Sequence, residues 1–148
     1  MILLVLSLIL ILTGCNSDKM NVKVCSYKDN ATDAEIDIEA YYISSSEEVQ
    51  RIIVEMRQIF PKEAVKGMNE EKMVSTLQSM LVSSIGEETA MDIEYNTKKR
   101  EAYIKINFLT ENMEESKLAG FNLKKDRRIS SFVSKFKALG YCCKGESR

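Results

Sequence analysis

The chain has 148 residues with 21 basic and 22 acidic side chains, no histidine, no tryptophan, one proline and four cysteines. This length holds one domain, and the near-even charge gives neither the basic field that nucleic acid needs nor an acidic tail. Without histidine there is no Ser-His-Asp triad, no Cys-His pair and no imidazole metal ligand.

Met1 to Leu12 is a run of Ile, Leu and Val broken only by Ser7. About 12 residues are too few for a membrane-crossing helix, which takes roughly 20, so the run is predicted to be the apolar part of a signal peptide. Leu12-Thr13-Gly14-Cys15 follows directly and resembles the bacterial lipobox at all four positions. Cys15 is then the acceptor of a diacylglyceryl group, and small side chains at Thr13 and Gly14 suit cleavage between Gly14 and Cys15. No positive charge precedes the apolar run, because the chain opens Met1-Ile2-Leu3; this reads as a misassigned or truncated start. Each buried acyl methylene contributes about 0.8 kcal/mol, so two chains make a durable anchor. Residues 1–14 are thus expected to be a signal peptide, 15–21 a lipidated tether and 22–148 one domain on the extracytoplasmic face of a bacterial cell membrane.

From Val22 the pattern has period two. Val22 and Val24 share a face, and Lys23, Cys25 and Tyr27 take the other. Ile36, Ile38, Ala40 and Tyr42 then alternate with Glu35, Asp37, Glu39 and Tyr41, which predicts a half-buried strand with an acidic outer side. Across the turn at Ser44 to Glu47, Val49 to Phe60 fits either a helical stripe or a strand. The strand is chosen, because pairing it back sets Ile36 opposite Met56, Ile38 opposite Val54, Ala40 opposite Ile52 and Glu35 opposite Arg57, satisfying both faces at once.

Asn69 is predicted to cap a helix with Glu70 and Glu71 in its first turn, apolar at Met73, Val74, Leu77, Met80 and Leu81 and closed by Gly86. A second hairpin follows, with Met91, Ile93 and Tyr95 against Ala102, Ile104, Ile106 and Phe108, a turn at Asn96 to Arg100, and Asp92 meeting Lys105 outside. Thr110 to Lys125 reads as an irregular connection or a short helix. Asp126 is predicted to cap a last helix that buries Ile129, Phe132, Val133 and Phe136 and ends at Gly140, ahead of an extended Tyr141 to Cys143. The sum is α+β: an antiparallel sheet of two main hairpins with two helices on one face.

Outside the cytoplasm thiols oxidise, so Cys25 is expected to pair with Cys142 or Cys143. Adjacent residues of an extended segment point to opposite faces, so one of the two stays free. The lipobox, Val24-Cys25-Ser26-Tyr27, the turn ahead of Glu48-Val49 and the closing Leu139-Gly140-Tyr141-Cys142-Cys143 resemble the YehR-like small bacterial lipoproteins. That resemblance implies an antiparallel sheet with helices, no established activity, and Cys143 as the partner of Cys25.

Glu35, Asp37 and Glu39 share a strand face, which reads as a solvated face crossed by Arg57 and not as a cation site, since calcium sites draw ligands from a shaped loop. Lys98-Lys99-Arg100 reads as a hairpin tip. Lys124, Lys125, Arg127 and Arg128 crowd a helix start, where cations oppose the macrodipole, and are candidates for contact with anionic lipid or an acidic envelope polymer. No metal, cofactor or nucleic-acid partner is expected, and with no nucleophile-base pair or cofactor loop the chain is not expected to be an enzyme. The leading reading is a membrane-anchored binding module for an envelope protein or polymer. The alternative is a carrier of a small apolar ligand, with Met73, Met80 and Met91 lining a pocket of about 300 Å³ or more.

Overall fold

In a computed structural model the described residues are 19–86 and 89–146. The signal run, the lipobox, Cys15 and the Glu87-Glu88 pair lie outside them. Six strands form one sheet in the order β4-β5-β3-β2-β1-β6. The strands are β1 (Met20–Asp29), β2 (Ala34–Ile43), β3 (Val49–Ile59), β4 (Ala90–Asn96), β5 (Glu101–Leu109) and β6 (Cys142–Glu146), and every neighbouring pair is antiparallel. Helix α1 (Glu70–Ile85) joins β3 to β4 after a 3₁₀ turn at Lys62–Val65, while a second 3₁₀ turn (Thr110–Asn112), α2 (Glu115–Gly120) and α3 (Ile129–Ala138) join β5 to β6.

The expected register of β2 and β3 is observed pair for pair: Ile36 with Met56, Ile38 with Val54, Ala40 with Ile52 and Glu35 with Arg57. It is fixed because a slip of one residue would turn the whole Ile set to the other face. The β4–β5 hairpin likewise sets Met91 against Ile106, Ile93 against Ile104, Tyr95 against Ala102 and Asp92 against Lys105. Three pairings go beyond the expected hairpins. β3 pairs with β5, Ile52 opposite Phe108 and Val54 opposite Ile106, which joins the two hairpins. β1 folds back on β2 through a turn in which Asp29 accepts bonds from the Ala31 amide (2.9 Å) and the Thr32 hydroxyl (2.8 Å). β6 adds to the free edge of β1 with Cys143 opposite Cys25.

All three helices lie on the face that carries Cys25, Ile38, Ala40, Ile52, Ile104, Ile106 and Phe108. Helix α3 packs over β6, β1 and β2, and α1 over β4. Between them Phe121, just after α2, meets Phe108 at 5.5 Å and Phe136 at 6.2 Å between ring centres, and Phe132 and Phe136 lie 4.7 Å apart. Phe132 is fully buried. A smaller apolar cluster of Val65, Met73, Tyr95 and Ala102 sits under the segment that leads into α1.

Asn69 caps α1 as expected, its side chain accepting from the Lys72 amide at 2.9 Å. The cap of α3 differs from the expectation. Arg128 occupies that position, and Asp126, two residues earlier, reaches forward to the Arg128 amide (3.1 Å) and the Ser131 hydroxyl (2.8 Å). Met80 departs from its predicted inward stripe. It is 62% exposed because α1 rests on an edge strand, with Met73, Leu77 and Ile85 turned inward and Met80 on the free flank. Among the described residues no helix is long and apolar enough to cross a membrane.

Candidate functional site

The face of the sheet opposite the helices carries the alternate residues of every strand. Its acidic row is not an array of free carboxylates. Glu35 accepts from Lys28 at 2.6 Å and lies 3.8 Å from Arg57, Arg57 also pairs with Glu101, and Lys105 reaches Glu55 at 2.8 Å. The Lys28 hydrogen bond and charge hold Glu35 below the ordinary carboxylate range, and the Arg57 guanidinium does the same to Glu101. Tyr41 donates to Glu39 at 2.6 Å, which raises its phenol, while the Arg51 guanidinium stacks 4.3 Å above the same ring. A general acid needs a raised carboxyl, so these shifts run against acid catalysis here. Asp92 faces Lys105 across the strands as expected, yet the Lys105 ammonium bonds to Glu55.

One end of the sheet gathers the start of β1, the β2–β3 turn and the segment ahead of α3. Lys19 is held by Ser44, whose amide and hydroxyl both donate to its carbonyl at 2.9 and 2.8 Å. The other side of the same turn bonds to the basic segment, Val49 amide to Arg127 carbonyl at 2.9 Å and Ile129 amide to Glu47 carbonyl at 2.8 Å. The four basic residues are therefore close in space, but they are not equivalent. Lys124 pairs with Glu115 at 2.8 Å, and Arg128 pairs with Asp126, whose carboxyl is held far below its usual value by the Arg128 side chain, the Arg128 amide and Ser131. Lys125 and Arg127 are exposed and make no ion pair among the described residues. Asp126 thus relieves the conflict between these cations and the helix dipole.

At the opposite end the Lys98-Lys99-Arg100 tip is a hairpin turn, tightened by Asn96, which accepts from the Lys99 amide at 3.0 Å, and by Arg100 in the left-handed region (φ 55°). Two open concavities flank it. The larger, about 730 Å³, is lined by polar and charged groups including Glu70, Glu94, Lys98, Lys99 and Glu101. The smaller, about 330 Å³, lies between the tip and the segment 62–68 and is lined by Val65, Met68 and Tyr95 with Lys62, Lys66 and Arg100 around them. No motif in the sequence points to a role for residues 61–68. The signal was Val65 and Met68 standing apolar in an otherwise polar stretch. Of the methionines expected to line a pocket, Met73 is core, Met91 packs on the core and Met80 faces solvent.

Cys25 and Cys143 form a disulfide, and Cys142 is free and exposed. The choice between the two late cysteines follows from the pleat. Cys143 faces the core beside Cys25, while Cys142 sits opposite Ser26 on the other face.

Two solved structures share the architecture. The NMR structure of Escherichia coli YehR matches with 18% identity, a TM-score of 0.66, and coverage of 89% of this chain and 96% of that one. The NMR structure of a Streptococcus pneumoniae TIGR4 protein matches with 10% identity, a TM-score of 0.55 and 88% coverage of each. The fold is YehR-like. No protein-family model matches the chain, and none of the curated proteins does.

Proposed function

We propose that the protein is an extracytoplasmic lipoprotein, anchored through a diacylated Cys15, whose α+β domain is a noncatalytic binding module. The observation that carries this reading is the disulfide of Cys25 with Cys143. Such a bond persists in oxidising compartments and not in a reducing cytoplasm, so it supports export independently of the Leu12-Thr13-Gly14-Cys15 sequence. The two features agree on the same compartment. Lys19, pinned to the β2–β3 turn, follows Cys15 by only four residues, a reach of about 14 Å at most, so the anchor would hold that end of the sheet at the headgroups. Lys125 and Arg127 would face them. The noncatalytic part is supported by the missing histidine and by the ion-paired state of Glu35, Glu55 and Glu101 on the open face.

Fractionation tests the anchor. The wild-type protein is expected in the membrane pellet, with an intact mass that begins at an acylated Cys15. Cys15→Ala should move it to the soluble fraction, and a variant that stays in the pellet refutes the lipid assignment.

A further inference from the structure

We infer that the concavity between segment 62–68 and the β4–β5 turn binds a small amphipathic anion, an apolar body carrying one carboxylate or phosphate head. Its floor carries the apolar groups: Val65 is 9% exposed, and Met68 packs beside it on the smaller core cluster. Its rim is cationic. Lys62, Lys66 and Arg100 make no ion pair among the described residues, and Glu63 is the one carboxylate of the lining. Arg100 is held in place by donating from Nε to the Phe60 carbonyl at 3.2 Å, which leaves its terminal N–H groups for a ligand.

Tyr95 completes the lining on the side of the turn. It is 4% exposed and is shared with the larger concavity, and no buried side-chain polar atom among the described residues lacks a partner, so its hydroxyl, which makes no hydrogen bond there, reaches the surface. A hydroxyl reached by solvent is a donor available to an anionic head. A volume of about 330 Å³ is at the small end of ligand sites and admits a single short chain or ring, not a phospholipid. The larger neighbouring concavity lacks this pattern, since Glu70, Glu94 and Glu101 there outnumber Lys98 and Lys99. The inference rests on the binding-module half of the proposed function and not on the anchor.

The full-length chain carrying Cys15→Ala, with no acyl group to compete, would be labelled with ¹⁵N and titrated with octanoate, octyl phosphate, octanol and inorganic phosphate. Octanoate or octyl phosphate should shift the amides of Val65, Lys66, Tyr95, Thr97 and Arg100 saturably, the tighter of the two assigning the head group. Octanol should bind about tenfold more weakly and inorganic phosphate should not saturate. The pair Lys62→Gln and Lys66→Gln should weaken the anion about three- to tenfold and leave octanol unchanged. Tyr95→Phe, which keeps the ring, should also weaken the anion. The inference is overturned if neither anion saturates by about 10 mM, if the shifts centre elsewhere, if octanol binds as well, or if the double variant binds the anion as tightly as its parent. Because binding is read on unlipidated protein and anchoring by fractionation, either reading can fail alone.

Discussion

Ile52 and Ile53 are consecutive residues of β3, both buried, and they are held by different physics. Ile52 is fully enclosed between sheet and helices, in the cluster with Phe108 and Phe132. Ile53 points to the face that no described helix covers, between Glu39 and Asn107, and is still only 7% exposed. Its cover comes from side chains standing on the sheet around it, where Arg51 stacks on Tyr41 and Lys105 pairs with Glu55. Long charged side chains shield apolar surface with their stems while their heads stay wet. One face is therefore closed by a second layer of backbone, and the other by charges that neutralise one another. The helical face should set stability. The open face should set how stability depends on pH and salt.

The largest effect is expected at the disulfide, which belongs to the helical face. It closes a separation of 118 residues, and the chain-entropy argument puts the loss on opening it near 5 kcal/mol. Cys143→Ser should lower the unfolding free energy by most of that amount, read by chemical unfolding without reductant. An unchanged midpoint would mean that β6 is held by its ladder and by Tyr141, whose ring lies 5.1 Å from Phe136, and not by the crosslink.

The isoleucine pair tests the comparison directly. Ile52→Ala leaves a cavity walled by helices and should cost about 3 to 4 kcal/mol. Ile53→Ala leaves a gap that water and neighbouring side chains can fill, and should cost about 1 to 2 kcal/mol. Equal costs in urea unfolding would show that the open face is as tightly closed as the other.

The sheet was legible where both faces of a strand speak together. In β2 and β3 an apolar row and a charged row alternate without a break, so one register satisfies Ile38 with Val54 and Glu35 with Arg57 at the same time. At β1 that logic fails. Lys23 stands on the helical face opposite Ala40, and Val22 lies on the open face at 4% exposure. Period two revealed the alternation there, but a strand that carries a cysteine and a lysine inward gives no apolar count to say which face is in. The Arg128 cap was missed for a related reason, since Asp126 has the right chemistry for a cap and exerts it from two residues upstream. The concavity beside Tyr95 was illegible because it joins residues 62–68 to the turn at 97–100, and nothing in either stretch names the other.

The ion pairs of the open face give a smaller effect with a distinctive dependence. Glu35 and Glu101 are both lowered from an ordinary 4.5, Glu35 chiefly by Lys28 and Glu101 by Arg57. A carboxyl lowered on folding contributes stability that is fully present above its unfolded value and lost as pH falls through its folded one. Arg57→Gln should therefore cost less than Ile53→Ala near neutrality, and the difference from wild type should shrink as pH drops below 4.5. It should shrink likewise in about 1 M salt, where screening acts within roughly 3 Å. The cost of Ile52→Ala should hold through the same titration, because no charge contributes to it. A pH-independent Arg57 effect would show that the arginine acts through the packing of its stem.

Cys142 is expected to give the smallest effect, and it is informative because its neighbour gives the largest. The two cysteines share chemistry and sequence context, and the pleat alone separates them, with Cys143 turned to Cys25 and Cys142 exposed beside Ser26. Cys142→Ser removes no bond and little buried surface, so its stability should stay within about 0.5 kcal/mol of wild type. In Cys143→Ser, Cys142 should not replace the lost crosslink, because reaching Cys25 would require β6 to slip by one residue and turn its whole ladder over. Intact mass of that variant under oxidising conditions should show Cys25 and Cys142 as free thiols. A Cys25–Cys142 bond in its place would show that the β6 edge moves, and that the thiol pair rather than the pleat decides the register.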